Sequence, residues 1–258
     1  MGCSYSSCVN EHFYTMYIQY NSNNLPIGLK NIIFGFNFNQ YIDNLPHTVE
    51  SIKFVSNSKF NKPINNLPIN LIELIFHKIT YFNQRIDKLP NLLRILVLGD
   101  HFNQPVNDLP PNIEYLSFEK NFNQSVNNLP INLKILKFGF CFNQTVDNLP
   151  PNIEYLSFDH DFNKSIDNLS SNIEYLSFGA SYNQPIDNLP SSIKFITFDL
   201  NFNQSIDNLP KELEYLTIGI RYTKKINNLP SKLKIIRCGI NYPYIDYLIK
   251  NNINIKFV

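Results

Sequence analysis

Phe122-Asn123-Gln124-Ser125-Val126-Asn127-Asn128-Leu129-Pro130 is followed twenty residues on by Phe142-Asn143-Gln144-Thr145-Val146-Asp147-Asn148-Leu149-Pro150. The closing Leu-Pro pair keeps the phase at Leu25, Leu45, Leu67, Leu89, Leu109, Leu129, Leu149, Leu189, Leu209 and Leu229, and Leu169-Ser170 fills the one gap. A fixed period of this length predicts a solenoid, whose repeats touch only their neighbours and together make an extended binding surface.

The remainder of each repeat reads Ile113-Glu114-Tyr115-Leu116-Ser117-Phe118, with counterparts at 133–138, 153–158, 173–178, 193–198 and 213–218. Apolar residues hold the first, fourth and sixth places, and the last residues alternate, as in a half-buried strand. Twenty residues cannot close a βαβ unit of about thirty. The expectation is therefore a β-rich solenoid: a leucine-rich-repeat-like right-handed coil with one short parallel strand per 20–22-residue repeat and few helices.

The phrase itself turns the chain back. Phe122, Val126 and Leu129 are spaced to point inward, Asn127-Asn128 supplies turn chemistry, and Pro130 biases Leu129 toward extended geometry. The return limb should be extended or a tight turn. One such coil buries too little to stand alone, so stacking must supply the rest. Phe118-type and Phe122-type residues then form two columns through the core. Leu98, Ile218 and Cys238 replace Phe in the first, and Tyr182, Tyr222 and Tyr242 in the second. The Asn after the second Phe, as at Asn123, Asn143 and Asn163, is expected to satisfy buried backbone of the next coil; Thr223 ends that series.

These residues resemble the FNIP repeat, a relative of the leucine-rich repeat, over residues 25–240. The resemblance implies a solenoid that holds protein partners, and for some members an F-box that links bound targets to ubiquitin ligases. Residues 1–24 are too short for an F-box. The leucine-rich pattern maps onto Ile113, Leu116, Phe118 and Asn121, but its Asn place is filled elsewhere by His101, Cys141, Asp161, Ser181 and Arg221.

Composition limits the function classes. The chain has 258 residues, a net charge of +1 and 17% charged residues, so no basic field recruits nucleic acid. No apolar run reaches the length of a membrane span, and the N-terminus lacks the apolar core of a secretory signal. A cytoplasmic protein, monomeric and without cofactor, is expected. The histidines do not cluster by repeat position, and no nucleophile–base pair, phosphate-binding glycine loop or zinc spacing is present. That argues against an enzyme. The Asp column at Asp147, Asp167, Asp187 and Asp207 alternates with Asn at Asn107, Asn127 and Asn227, which fits turn formation better than calcium.

Partner-binding candidates come from the strand residues that escape the core. Tyr115, Tyr155, Tyr175, Phe195 and Tyr215 form an aromatic row, and Lys137 and Arg237 stand in the neighbouring row beside Ser117, Ser157, Ser177, Thr197 and Thr217. Placed on the concave side of the coil, rings with polar tips suit protein recognition; cross-strand packing is the structural alternative. A charge row at Glu114, Lys134, Glu154, Glu174, Lys194, Glu214 and Lys234 mostly alternates in sign, as register-fixing pairs would.

Three irregular places remain. Leu45, Leu67 and Leu89 are twenty-two residues apart, the extra length falling around Val55–Lys59 and His77–Tyr81. A functional loop face and a longer ancestral repeat both explain it. Residues 1–24 form a leader and cap, and residues 241–258 a second cap with a short helix from Pro243 and a final strand from Ile253. Met1-Gly2-Cys3-Ser4-Tyr5-Ser6 fits the myristoylation pattern at Gly2, with Cys3 beside it as a palmitoylation candidate. Three functions follow: a protein-binding scaffold, a substrate-recruiting adaptor for ubiquitin ligation, and a module tethered to membrane through Gly2 and Cys3.

Overall fold

The computed structural model describes residues 15–20 and 25–258. Gly2 and Cys3 lie outside the described residues. The chain forms two compact units, Met1–Gln124 with Asn128–Leu133, and Ser125–Asn127 with Lys134–Val258. Each is a parallel β-solenoid in its described part.

The first unit contains β1 (Thr15–Ile18), β2 (Asn31–Phe34), β3 (Ser51–Phe54), β4 (Glu73–Phe76), β5 (Ile95–Leu98) and β6 (Tyr115–Phe118). Each strand pairs in parallel with the next. The second contains β7 (Ile135–Lys137), β8 (Tyr155–Ser157), β9 (Tyr175–Ser177), β10 (Phe195–Thr197), β11 (Tyr215–Thr217), β12 (Ile235–Cys238), the helix α1 (Ile245–Lys250) and β13 (Asn254–Phe257). These strands also pair in parallel, in chain order. Register follows the sequence repeat: Leu156 stands beside Leu136 and Leu176.

Alternation fixes which face is core. Ile113, Leu116 and Phe118 are buried, as are Ile153, Leu156 and Phe158. The two aromatic columns run through each unit. In the first, Phe54 and Phe76 stack at 4.7 Å between coils, and Phe76 and Phe82 at 4.1 Å within one. In the second, Phe158 stacks on Phe178 at 5.7 Å and on Phe162 at 3.7 Å. Offset rings add about 0.5–1.5 kcal/mol per pair beyond the area they bury. Tyr182 and Tyr222 take Phe positions but keep their hydroxyls buried without a hydrogen-bond partner. Burial raises both phenols above their ordinary value. Tyr242 differs, because its hydroxyl donates to the Lys224 carbonyl at 2.9 Å.

The return limb is a series of tight turns. Leu133 N–H donates to the Pro130 carbonyl and Leu213 N–H to that of Pro210, so each Leu-Pro pair leads into a turn. Another turn follows the strand, where Phe142 N–H donates to the Gly139 carbonyl. The backbones of adjacent coils meet closely there: a Cβ at Gly179 would collide with the Asp159 carbonyl group.

Side-chain ladders tie the coils together. The Asn103 amide oxygen accepts from the Asn123 backbone N–H at 2.9 Å, and that of Asn163 from Asn183 at 3.0 Å. The rungs run toward the next coil as expected, but they lie at exposed or half-buried positions, not in the core. Gln joins several rungs: Gln184 Nε2 donates to Asn163 Oδ1 at 3.1 Å, whereas Lys62, Lys164 and Lys224 hold its place in others. Thr223 ends the series by donating its N–H to Asn203. The Asp column adds another set, with Asn188 and Asn208 donating to Asp167 and Asp187 at 3.3 and 3.2 Å.

The two longer repeats each add a left-handed residue, Asn57 at φ 62° and Ile79 at φ 63°. Asn tolerates this region, but a β-branched residue there is strained. The two turns hold each other: Asn57 N–H donates to the Lys78 carbonyl and Tyr81 N–H to that of Ser58. Beyond the repeats, α1 and β13 occupy the segment where a helix and strand are expected, and β13 pairs with β12.

Candidate interaction face

The candidate face is the side of each sheet turned away from the Phe columns. In the second unit two side-chain rows cross it. One holds Tyr155, Tyr175, Phe195, Tyr215 and Ile235 at equivalent register positions. The other holds Lys137, Ser157, Ser177, Thr197, Thr217, Arg237 and Lys256.

The aromatic row is not uniform. Tyr155 and Tyr175 stack nearly parallel with centroids 4.2 Å apart, and Phe195 and Tyr215 do the same at 4.6 Å. Between the pairs the row opens, and Tyr175 and Phe195 are 6.2 Å apart and tilted by 31°. Lys137 caps one end, with Nζ 5.1 Å from the Tyr155 centroid, a cation–π contact. The opening leads into a groove of about 330 Å³. Tyr175, Phe195 and Tyr215 form one wall, and the rest of the lining includes Ile235 with the polar Thr197, Thr217, Arg237 and Lys256.

The structure thus brings together Tyr175, Phe195, Tyr215 and Arg237 around one groove, with Tyr155 and Lys137 stacked onto it. Tyr115 stands on β6 of the first unit, half-buried. Ser117, expected in the hydroxyl row, is 6% exposed, because its neighbours cover it. Lys256 was not among the sequence candidates, since it lies beyond the last repeat phrase. Its signal was the alternation Ile253-Asn254-Ile255-Lys256, which places it in step with Arg237.

Ion pairs flank the face. Lys194–Glu174 and Lys234–Glu214 close at 2.7 and 2.6 Å, and Lys232–Glu212 at 2.5 Å. The hydrogen bonds that Lys194 and Lys234 donate to Glu174 and Glu214 raise the lysine pKa values. These pairs are exposed and hold register more than they add stability. Among the described residues, no His, Cys, Asp or Glu side chains gather in threes to hold a metal, and no helix is long and apolar enough to cross a membrane.

The FNIP Repeat family model matches residues 21–57, 105–141 and 162–201. Among solved structures, CroV588, described as a novel circular LRR protein structure, is 33% identical with a TM-score of 0.72. The match covers 86% of this chain and 38% of CroV588, so this chain spans well under half of that protein's length. YopM from Yersinia enterocolitica WA-314 is 14% identical over 95% of this chain and 79% of its own, with a TM-score of 0.26. No curated protein sequence matches the chain. Repeat phrase, parallel coils and the CroV588 likeness agree: the chain belongs to the FNIP-repeat proteins, a leucine-rich-repeat-like family whose solenoid is typical of non-enzymatic interaction scaffolds.

Proposed function

We propose that this chain holds a protein partner on the outward sheet face of its second unit. The observation that carries the reading is the interrupted aromatic row beside the groove. Rings already stacked on one another lose little entropy on binding and present edges and hydroxyls to a partner. Tyr155, Tyr175, Phe195 and Tyr215 would supply contact area, and Lys137 and Arg237 would mark the ends. Tyr115 would contribute similarly on the first unit.

The test compares wild type with Tyr155→Ala/Tyr175→Ala in affinity purification from the native cell, alongside thermal melts. Partner capture should fall sharply while the melting temperature drops by only a few degrees, since one half-buried ring pair outside the core is removed. Equal capture by both proteins would refute the reading. Ligase subunits in the captured set would favour the adaptor function, and an unmodified Gly2 by mass spectrometry would remove the membrane tether.

A further inference from the structure

Thr197, Thr217, Arg237 and Lys256 stand side by side on four consecutive strands. Neighbouring strands lie about 4.8 Å apart, so the two cations are direct neighbours. Like charges placed opposite one another across strands are destabilising. The flanking charge row mostly follows that rule, setting Lys194 against Glu174 and Lys234 against Glu214, with Glu154 beside Glu174 as a like-charge step. Here the rule is not followed. Neither Arg237 nor Lys256 has an ion-pair partner among the described residues, and both are exposed. Glu212 and Glu214 are already engaged by Lys232 and Lys234. The groove therefore carries two cations and two hydroxyl donors with no anion among its lining residues.

Resting on the partner-binding reading above, we infer that the groove receives an acidic, extended segment of a protein partner, its carboxylates meeting Arg237 and Lys256 and its apolar side chains meeting the ring wall. The guanidinium offers a bidentate fork to a carboxylate, and the ammonium next to it holds a second. Thr197 and Thr217 continue the donor row toward Tyr175. Strands β9 to β12 are paired on both sides, so across them the groove presents side chains rather than free backbone amides. Two cations beside one wall of three rings, in a chain of net charge +1, match a short acidic peptide better than a nucleic acid backbone.

Fluorescence polarisation on the full chain tests this with three labelled octapeptides: alternating Glu and Tyr, Gln and Tyr, and Lys and Tyr. The Glu-Tyr peptide should bind about tenfold more tightly than the Gln-Tyr peptide, and more weakly as salt rises. Arg237→Gln/Lys256→Gln should abolish that preference and flatten the salt dependence. Lys232→Gln/Lys234→Gln should keep it, because those lysines are paired. The Arg237 and Lys256 variant should melt no lower than wild type, which separates lost recognition from lost folding. Equal affinity for the Glu and Gln peptides, or an undiminished preference in the Arg237 and Lys256 variant, overturns the inference. So does tighter binding to phosphatidylserine vesicles or oligothymidylate than to the Glu-Tyr peptide. If the Gln-Tyr peptide binds as well as Glu-Tyr and both are lost in Tyr155→Ala/Tyr175→Ala, the acidic partner is wrong while the aromatic row still binds. If Tyr155→Ala/Tyr175→Ala also captures the native partner undiminished, the row fails as well.

Discussion

The outward faces of the two units share one backbone plan and differ in what their polar groups do. On the first unit Ser51 donates to Glu73 at 2.7 Å, and Lys53 pairs with the same carboxylate at 2.9 Å. Burial alone would raise the Glu73 carboxyl, but the hydrogen bonds from Lys53 and Ser51 outweigh it and hold it below its ordinary value. Aliphatic Ile33, Ile75, Ile95 and Val97 surround that network, half-buried. On the second unit the corresponding places hold stacked rings, hydroxyls and two adjacent cations. The first face engages Ser51, Lys53 and Glu73 with one another, whereas on the second Arg237 and Lys256 have no ion-pair partner among the described residues.

If the units share a core and differ only at the face, equivalent core truncations should cost the same. Phe54→Ala and Phe158→Ala should each lose about 3–5 kcal/mol, checked by urea unfolding followed by circular dichroism. A large inequality would mean that the difference between units reaches into the core. Tyr182→Phe comes next: removing a buried, unpartnered hydroxyl should stabilise the second unit by about 1 kcal/mol. The same change at Tyr242 should cost stability, because that hydroxyl is bonded.

Glu73→Gln sharpens the contrast at the faces. It should destabilise by about 1 kcal/mol near neutral pH, whereas Lys256→Gln should be neutral or slightly stabilising. Because the Glu73 carboxyl is held below its unfolded value, its contribution is present above that unfolded value. It fades as pH falls through the lower folded one. Wild type and Glu73→Gln should therefore converge in acid melts, and a constant difference at all pH values would place the effect elsewhere. Smallest is Ile79→Asn, which copies Asn57 at the matching turn of the preceding repeat. Relieving a β-branched residue in the left-handed region should gain about 0.5–1 kcal/mol.

Much of this was legible in the sequence because period and alternation act together. Leu156 and Phe158 had to face inward once the twenty-residue phase was known, and Tyr155 had to face out. The Asn rung was legible from its recurrence, yet its surface position was not. Recurrence shows that a residue is needed without showing how deep it lies. The Gln rung was visible in the same way, at Gln104, Gln124, Gln184 and Gln204, but no core Phe tied it to a role. Ile79 was hidden for the opposite reason, since its residue type argues against the conformation that the inserted length imposes. The gap between Tyr175 and Phe195 depends on ring tilt, which the repeat does not encode. Lys256 belongs to the groove only through the pairing of β13 with β12, outside the repeated phrase.

The Asn-Gln rungs carry a consequence for how such a chain can change. Within the series each coil offers one acceptor forward and receives one from behind, so twenty-residue coils are interchangeable at the Asn seam. Excising residues 163–202 would set Asn203 against Asn143 and Gly219 against the Asp159 carbonyl group, so both the Asn rung and the close backbone approach would reclose. The two twenty-two-residue coils are different, because the turns at Asn57 and Ile79 hydrogen-bond to each other and form a matched set. Length in this architecture is free to vary by whole coils, whereas that pair must be inherited, copied or lost together.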